Sequence, residues 1–283
     1  MTNSADRDAV AGFFERWSLV ADGEQFTTNS SILAPVRHRG AAAMLKIALV
    51  DEEVRGNHLM TWWGGRGAAP VLEHDGRAIL LERATGIRSL AVLADTDADG
   101  DDRASRILCA TGLRLHELGP PAAAAELTPL TRWFADLIEP GGSDRALPAS
   151  REAGEFQSRA ASLARQMLSS SRESVVLHGD LHHGNVLDFA EAGWLAIDPK
   201  GLVGDPAFEF ANILCNPTPS VAVRQGRVAR QSAIIAEATG IDLKRIVAWT
   251  VAYCGLSSVW SAQDHQSAAH TLAVGLAAES LLG

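Results

Sequence analysis

Between Val175 and Pro199 the chain concentrates side chains able to do chemistry: V-V-L-H-G-D-L-H-H-G-N-V-L-D-F from Val175 to Phe189, then G-W-L-A-I-D-P from Gly193 to Pro199. Asp180 opens the polar segment, Asn185 follows five residues later, and a second acid, Asp198, stands thirteen residues beyond it. A carboxylate can orient a hydroxyl and accept its proton, while an amide oxygen and a second carboxylate are hard donors of the kind Mg²⁺ accepts beside phosphate oxygens. That is a phosphoryl-transfer layout. Two plainer readings stand beside it: Asp180 as a turn cap, and His178, His182 and His183 as zinc ligands. Gly179 and Gly184 break any helical face the histidines could share, and their order matches no zinc pattern.

Such a loop has to be held by strands. The runs VVL, NVL and WLAI, bounded by Gly and Asp, predict strand, loop, strand, strand. Upstream, Val10, Phe13, Phe14 and Trp17 at three- and four-residue spacing predict an amphipathic helix over residues 6 to 20. Phe26–Val36 and Ala41–Leu49 read as strands joined by the turn Arg37–Gly40, with Thr27, Thr28, Asn29, Ser30 and Ser31 at a polar tip able to bond phosphate oxygens. The chain has three lysines against twenty-two arginines, and Lys46 lies inside the second of these apolar strands. A charge there needs a reward, and an ammonium is a compact point charge suited to phosphate oxygens. An edge lysine with its head in solvent is the alternative.

Asp51 opens a helix that runs through Trp63, and Val71–Glu73 with Arg77–Gly86 reads as a hairpin. Residues 95 to 103, D-T-D-A-D-G-D-D-R, lack the terminal Glu of a calcium loop and are expected to form a solvated turn. From Ala104 helices predominate. The first is stopped by Gly119-Pro120-Pro121, and Asp205-Pro206 caps a later one. G-G-R-G at Gly64–Gly67 is too sparse for a nucleotide-binding glycine motif.

With 283 residues and 47% hydrophobic content the chain has ample material for a core. A net charge of -9 with no basic run argues against a nucleic-acid partner, and no apolar run is long enough for a membrane span. The polar N-terminus is unlike a signal peptide, and Cys109, Cys215 and Cys254 sit apart in apolar stretches, so a cytoplasmic protein with reduced thiols is expected. No obligate protein partner is evident.

The run H-G-D-L-H-H-G-N from His178 to Asn185, with I-D-P-K-G-L-V-G from Ile197 to Gly204, resembles the catalytic and metal-binding segment of the aminoglycoside phosphotransferases. It is most similar to their streptomycin 6-kinase and hydroxyurea-kinase branch, as are E-V-R-G at Glu53–Gly56 and A-Y-C-G-L-S-S-V-W at Ala252–Trp260. The resemblance implies an α+β, bilobal protein-kinase-like fold: a small antiparallel-sheet N-lobe over residues 1–85 and a larger, mostly helical C-lobe over residues 86–283. It implies Asp180 as the catalytic acid-base residue, Asn185 and Asp198 as Mg²⁺ ligands, and Lys46 as the clamp on the ATP phosphates. Glu53, with Glu52 as the other choice, would hold Lys46. The Glu82 carbonyl and Ala84 amide would meet the adenine edge, and Ser30 the phosphates.

The function so implied is an ATP- and Mg-dependent O-phosphotransferase acting on a small, cationic acceptor, a streptomycin 6-kinase conferring antibiotic resistance. Carboxylates suit a cationic acceptor, so Asp205, Glu209 and Asp264 are acceptor-site candidates, with Asn212 and Trp260 as further contacts. Lys200 is a local charge partner of open role. Hydroxyurea or a sugar is the alternative acceptor, and a non-catalytic nucleotide-binding module is the alternative from another class.

Overall fold

A computed structural model describes residues 4–119, 127–139, 148–171 and 173–283. Contacts divide the chain into two compact units, Met1–Arg88 with Leu187–Gly201, and Ser89–Val186 with Leu202–Gly283.

The first unit opens on α1 (Ser4–Arg16). The helix predicted to reach residue 20 ends there because Ser18 turns into the left-handed region (φ 51°), and Leu19–Ala21 becomes strand β1. Phe13, Phe14 and Trp17 still pack where the apolar spacing puts them, against a core that includes Val10, Leu19, Ile32, Val36, Leu45 and Leu80. The segment expected as one strand is two, β2 (Phe26–Thr27) and β3 (Ser31–His38), with the polar turn between them. Strand β4 (Ala41–Ala48) pairs antiparallel along all of β3. Arg39 and Gly40 join them at φ 52° and 85°, the left-handed pair that a two-residue hairpin needs to match strand twist. Helix α2 (Asp51–Trp63) follows, with three acids in its first turn and Gly64 as its left-handed C-cap. Strands β5 (Val71–Asp75) and β6 (Ala78–Glu82) complete a six-stranded sheet of order β1-β3-β4-β6-β5, with β2 sharing with β1 the edge of β3 opposite β4.

The second unit starts with α3 (Leu90–Thr96) and α4 (Ala98–His116). Here the acidic run departs from expectation: it spans the end of α3, the Asp97 cap and the opening of α4, not a solvated turn. Asp97 caps the helix by accepting from Gly100 N (2.7 Å), and acids in the first turn suit the helix dipole. Asp101 is buried and takes both arms of the Arg227 guanidinium, at 2.7 and 2.9 Å. The helix stop expected at Pro120 and Pro121 lies outside the described residues.

Strand β7 (Thr128–Pro129), the short α5 (Leu130–Trp133) and α6 (Ala135–Ile138), and α7 (Arg151–Ser170) lead to β8 (Val175–Leu177). After the hairpin of β9 (Val186–Asp188) and β10 (Trp194–Ala196), β11 (Leu202–Gly204) enters between β7 and β8. A 3₁₀ helix over Pro206–Cys215 follows, then α8 (Pro219–Ala222), α9 (Arg227–Thr239), α10 (Leu243–Gln263) and α11 (Ala269–Glu279). Helix α10 buries Ile246, Trp249, Val251, Cys254, Leu256 and Val259, apolar on nearly every side, as a central helix must be. Phe134, Phe208 and Trp249 meet edge-on or tilted at 5.5 Å in that core. All three cysteines are buried free thiols. Among the described residues no helix is long and apolar enough to cross a membrane.

Within the first unit, Leu187–Gly201 is bound by backbone pairing and by one carboxylate. Ala69 N donates to Ala196 O (2.8 Å) and Ala196 N to Gly67 O (3.0 Å). Gly86 N donates to Asp188 O (2.9 Å), and Arg88 grips the Asp188 carboxylate through Nε (2.8 Å), Nη2 (2.6 Å) and its own amide (3.1 Å). That grip holds the Asp188 carboxyl down at about 2, although its burial works in the opposite sense.

Candidate active site

Lys46 sits in the buried stretch of β4, and its ammonium pairs with both Glu53 of α2 and Asp198. Lys46 and Glu53 are 7% and 2% exposed, and charges so buried need opposite partners of this kind. The choice between two glutamates is resolved geometrically: Glu53 pairs with Lys46, while Glu52 takes Lys200 at 2.9 Å. Lys200 also reaches the second Glu53 oxygen at 3.3 Å, so one carboxylate is shared by two ammonium groups. Ser31 Oγ donates to it as well (3.4 Å), which brings the polar β2–β3 turn beside the cluster.

The spacing Glu53…Gly56 explains how α2 serves this cluster, because residues three apart share a helix face. Gly56 admits the Asp198-Pro199 turn against the helix backbone, where a Cβ would stand 2.3 Å from the Pro199 oxygen. Asp198 itself has a φ of 60°, a left-handed conformation that an L-residue keeps only when its surroundings enforce it. Burial opposes its charge, yet the Lys46 ammonium, through charge and hydrogen bond, and Lys200 hold its carboxyl below the ordinary value.

In the second unit, β8 delivers the polar loop. Glu209, from the 3₁₀ helix, accepts from His178 N (2.7 Å) and Gly179 N (2.9 Å), and His116 Nε2 lies 3.1 Å from its Oε2. Glu209 is 1% exposed. Burial pushes its pKa up, but the hydrogen bond and charge of His116, the His178 charge and the Gly179 amide bring it below the ordinary value. Asn185 Nδ2 donates to the Asp180 carbonyl at 3.0 Å and to Asp180 Oδ2 at 3.3 Å, which closes the loop on itself. Asn212 Nδ2 donates to Asp180 Oδ1 at 2.7 Å. The histidines serve the loop separately: Asp180 N donates to His178 Nδ1 (3.3 Å), Gly184 N to His182 Nδ1 (3.0 Å), and His183 is 2% exposed. Among the described residues no group of three His, Cys, Asp or Glu is placed to hold a metal ion.

The structure thus gathers Lys46, Glu53 and Asp198 in one unit and Asp180, Asn185, Asn212 and Glu209 in the other. Ser30 is half-buried in the β2–β3 turn, its carbonyl accepting from Leu49 N (2.8 Å). Glu82 ends β6 with its N–H on Pro70 O (2.9 Å), and Ala84 follows outside any helix or strand. Asp205 is 2% exposed, caps the 3₁₀ helix through Ala207 N (3.0 Å) and pairs with Arg245. Trp260 Nε1 donates to Asp136 Oδ2 (3.0 Å), its ring edge-on to Trp133 at 5.2 Å. Asp264 is exposed at the C-cap of α10. Two contributors were not read from the sequence. His116 offers no local signal, whereas Asn216, four residues after Asn212 and bonded to it, could have been found from that spacing.

Each unit carries a hard oxygen donor. Nδ2 of Asn185 is engaged by Asp180, which directs the uncharged amide oxygen elsewhere, and Asp198 presents a carboxylate.

The chain matches, over residues 16–265, the model of a family described as aminoglycoside/hydroxyurea antibiotic resistance kinase. It is 42% identical to a streptomycin 3''-kinase of Klebsiella pneumoniae, over 94% of this chain and 97% of that one. A hydroxyurea phosphotransferase of Kitasatospora aureofaciens is 35% identical, over 97% of this chain and 78% of that one. A streptomycin 6-kinase of Streptomyces glaucescens is 31% identical, over 95% and 87%. Among solved structures, a thermostable mutant of aminoglycoside phosphotransferase APH(4)-Ia in ternary complex with ADP and hygromycin B superposes with a TM-score of 0.65, at 13% identity, covering 96% of this chain and 98% of that one. The fold is therefore the protein-kinase-like fold of these phosphotransferases.

Proposed function

The chain belongs to the aminoglycoside/hydroxyurea antibiotic resistance kinase family, and from that premise we propose that it transfers the γ-phosphoryl group of ATP to a hydroxyl of a streptomycin-type aminocyclitol. The observation that carries this reading is the Asp180 carboxylate, bonded at one oxygen by Asn212 (2.7 Å) and flanked at the other by Asn185 (3.3 Å). A carboxylate so held can orient an acceptor hydroxyl and take its proton. Lys46, backed by Glu53, neutralises the nucleotide's phosphates, and Ser30 adds a donor from the β2–β3 turn. The Glu82 carbonyl and Ala84 amide bond the adenine edge. Asn185 and Asp198 would be the ligands of a Mg²⁺ ion, which would supply positive charge to the transferring phosphate. Asp264 and Trp260 are the proposed contacts for a cationic acceptor. Asp205 and Glu209, both buried and fully engaged, shape the second unit from within.

The hydroxyl is a separate question. Identity of 42% to a streptomycin 3''-kinase, against 31% to a 6-kinase, favours the 3'' position over the 6 position that the motifs alone suggest. Hydroxyurea is the second reading, favoured by the 35% relative. Purified protein with Mg-ATP and a panel of streptomycin, other aminoglycosides, hydroxyurea and simple sugars, read by product mass and fragmentation, decides between them. Phosphate on the N-methylglucosamine ring supports the 3'' reading, phosphate on the streptidine ring the 6 reading, and transfer to none of the panel defeats the proposal.

A further inference from the structure

The Asp180 carboxylate is held from within its loop by Asn185 at Oδ2 (3.3 Å) and from outside it at Oδ1. Asn212 Nδ2 donates to Asp180 Oδ1 at 2.7 Å, and Asn216 Nδ2 donates to Asn212 Oδ1 at 2.9 Å and to the Asn212 carbonyl at 3.0 Å. These contacts fix which way the Asn212 amide faces. A carboxylate only accepts, so Asn212 must turn its NH₂ toward Asp180, and Asn216 occupies its oxygen from the other side. Asn212 is 6% exposed, so water is a poor substitute for either partner.

The backbone of the loop has its own fastenings. Glu209 holds the His178 and Gly179 amides, and Asn185 holds the Asp180 carbonyl. On the side chain Asn185 Nδ2 reaches Oδ2 at 3.3 Å, and Asn212 supplies the shorter hydrogen bond, to Oδ1 at 2.7 Å. Without Asn212 and Asn216 the longer Asn185 contact on Oδ2 is left to oppose rotation of the carboxylate, and displacement of a reacting group by an ångström is enough to cost on the order of a hundredfold in rate.

We propose that Asn216 and Asn212 are positioning residues, a two-amide relay that locks the Asp180 carboxylate through Oδ1 and aims Oδ2 at the acceptor hydroxyl. The inference rests on Asp180 being the group that receives the acceptor's proton. It gives Asn212 a role through Asp180 in place of direct contact with the acceptor.

Kinetics with Mg-ATP and streptomycin test it on four variants. Asn212→Ala should lower kcat roughly 10- to 100-fold while both KM values stay within about twofold. Asn212→Asp keeps the shape and removes the donor, so it should lose at least as much; a space-filling role would leave it near wild type. Asn216→Ala should lower kcat roughly fivefold, and the double alanine variant should be no worse than Asn212→Ala alone, since the relay acts in series. Retained kcat in Asn212→Asp, a KM increase for the acceptor with kcat intact, or additive losses would each overturn the relay. A crystal structure of Asn212→Ala gives a readout independent of the acceptor: the Asp180 carboxylate should move or split into conformers, and an unmoved carboxylate counts against the proposal. Asp180→Ala separates the layers. Turnover lost there but kept in the Asn212 variants sinks the relay alone, and turnover kept in Asp180→Ala sinks the reading beneath it.

Discussion

Gly56 and Pro199 meet backbone to backbone: a Cβ added to Gly56 would lie 2.3 Å from the Pro199 carbonyl oxygen. Because Asp198 immediately precedes that proline and already holds a left-handed φ of 60°, any push on the turn is passed to a proposed metal ligand. Gly56→Ala therefore sets two effects against each other. Helix propensity alone favours alanine by about 1 kcal/mol, whereas an overpacked contact with backbone costs about 1–3 kcal/mol. The clash is expected to win, with a net loss of stability in urea unfolding and weaker Mg-dependent ATP binding. A stabilised variant with unchanged nucleotide affinity would mean that the turn yields freely.

Why Gly56 matters could not be seen from its own neighbourhood, and the same holds for much of the site. The strand pattern, the Lys46 anomaly and the Asp180…Asn185…Asp198 spacing were legible because each is a local regularity: alternation, an isolated charge in an apolar run, acids and an amide bounding a turn. The Lys46–Glu53 pairing needed only one strand and the next helix. By contrast, the acidic run at residues 95–103 was misread because its explanation, the Arg227 clamp on Asp101, lies over a hundred residues away. Asn212 and Glu209 are singled out in the sequence as contacts for a cationic acceptor, whereas the structure shows them bonded within the second unit. Their partners, Asp180 and the amides of His178 and Gly179, depend on how β8 and the 3₁₀ helix pack, which no local pattern encodes.

Lys200 gives the next prediction. It bonds Glu52 at 2.9 Å and Glu53 at 3.3 Å, so it shares with Lys46 the task of neutralising a buried carboxylate. When Lys46 turns its charge toward phosphate, Lys200 is the remaining cation on Glu53. Lys200→Met is expected to weaken ATP binding roughly tenfold, about 1.4 kcal/mol, while Lys46→Met should cost far more. Titration calorimetry with Mg-ATP reads both. Equal affinity in Lys200→Met and wild type would reduce Lys200 to a surface charge.

Acid stability should carry the signature of Asp188. Its carboxyl is held at about 2, against an ordinary 3.8, by the guanidinium and amide of Arg88. A depressed native pKa means that the stabilisation is fully present above the unfolded value and is lost as pH falls through the native one. The difference in urea midpoint between wild type and Asp188→Asn should therefore be constant above about pH 5 and shrink steadily from pH 4 toward pH 2. A difference that does not change with pH over that window would show that the Arg88 grip contributes no charge-dependent stability.

The strongest structural prediction concerns Glu209, whose two oxygens hold the amides of His178 and Gly179 and face His116 in a site 1% exposed. Replacing it with alanine strands two buried amide donors and a histidine ring nitrogen at once, and each unsatisfied group costs about 1–3 kcal/mol. Glu209→Ala should thus lose about 3 kcal/mol or more in urea unfolding. Glu209→Gln keeps the volume and one acceptor oxygen but turns an NH₂ toward one of the two backbone donors, so it should recover only part of that loss. His116→Phe keeps the ring and its edge contact with Phe210 at 5.9 Å while removing the nitrogen. It should cost less, about 1–2 kcal/mol, because the two amides still neutralise the carboxylate. The order Glu209→Ala, Glu209→Gln, His116→Phe, from most to least destabilised, follows from counting stranded donors. If His116→Phe proved the worst of the three, the histidine and not the loop backbone would be what Glu209 is buried to serve.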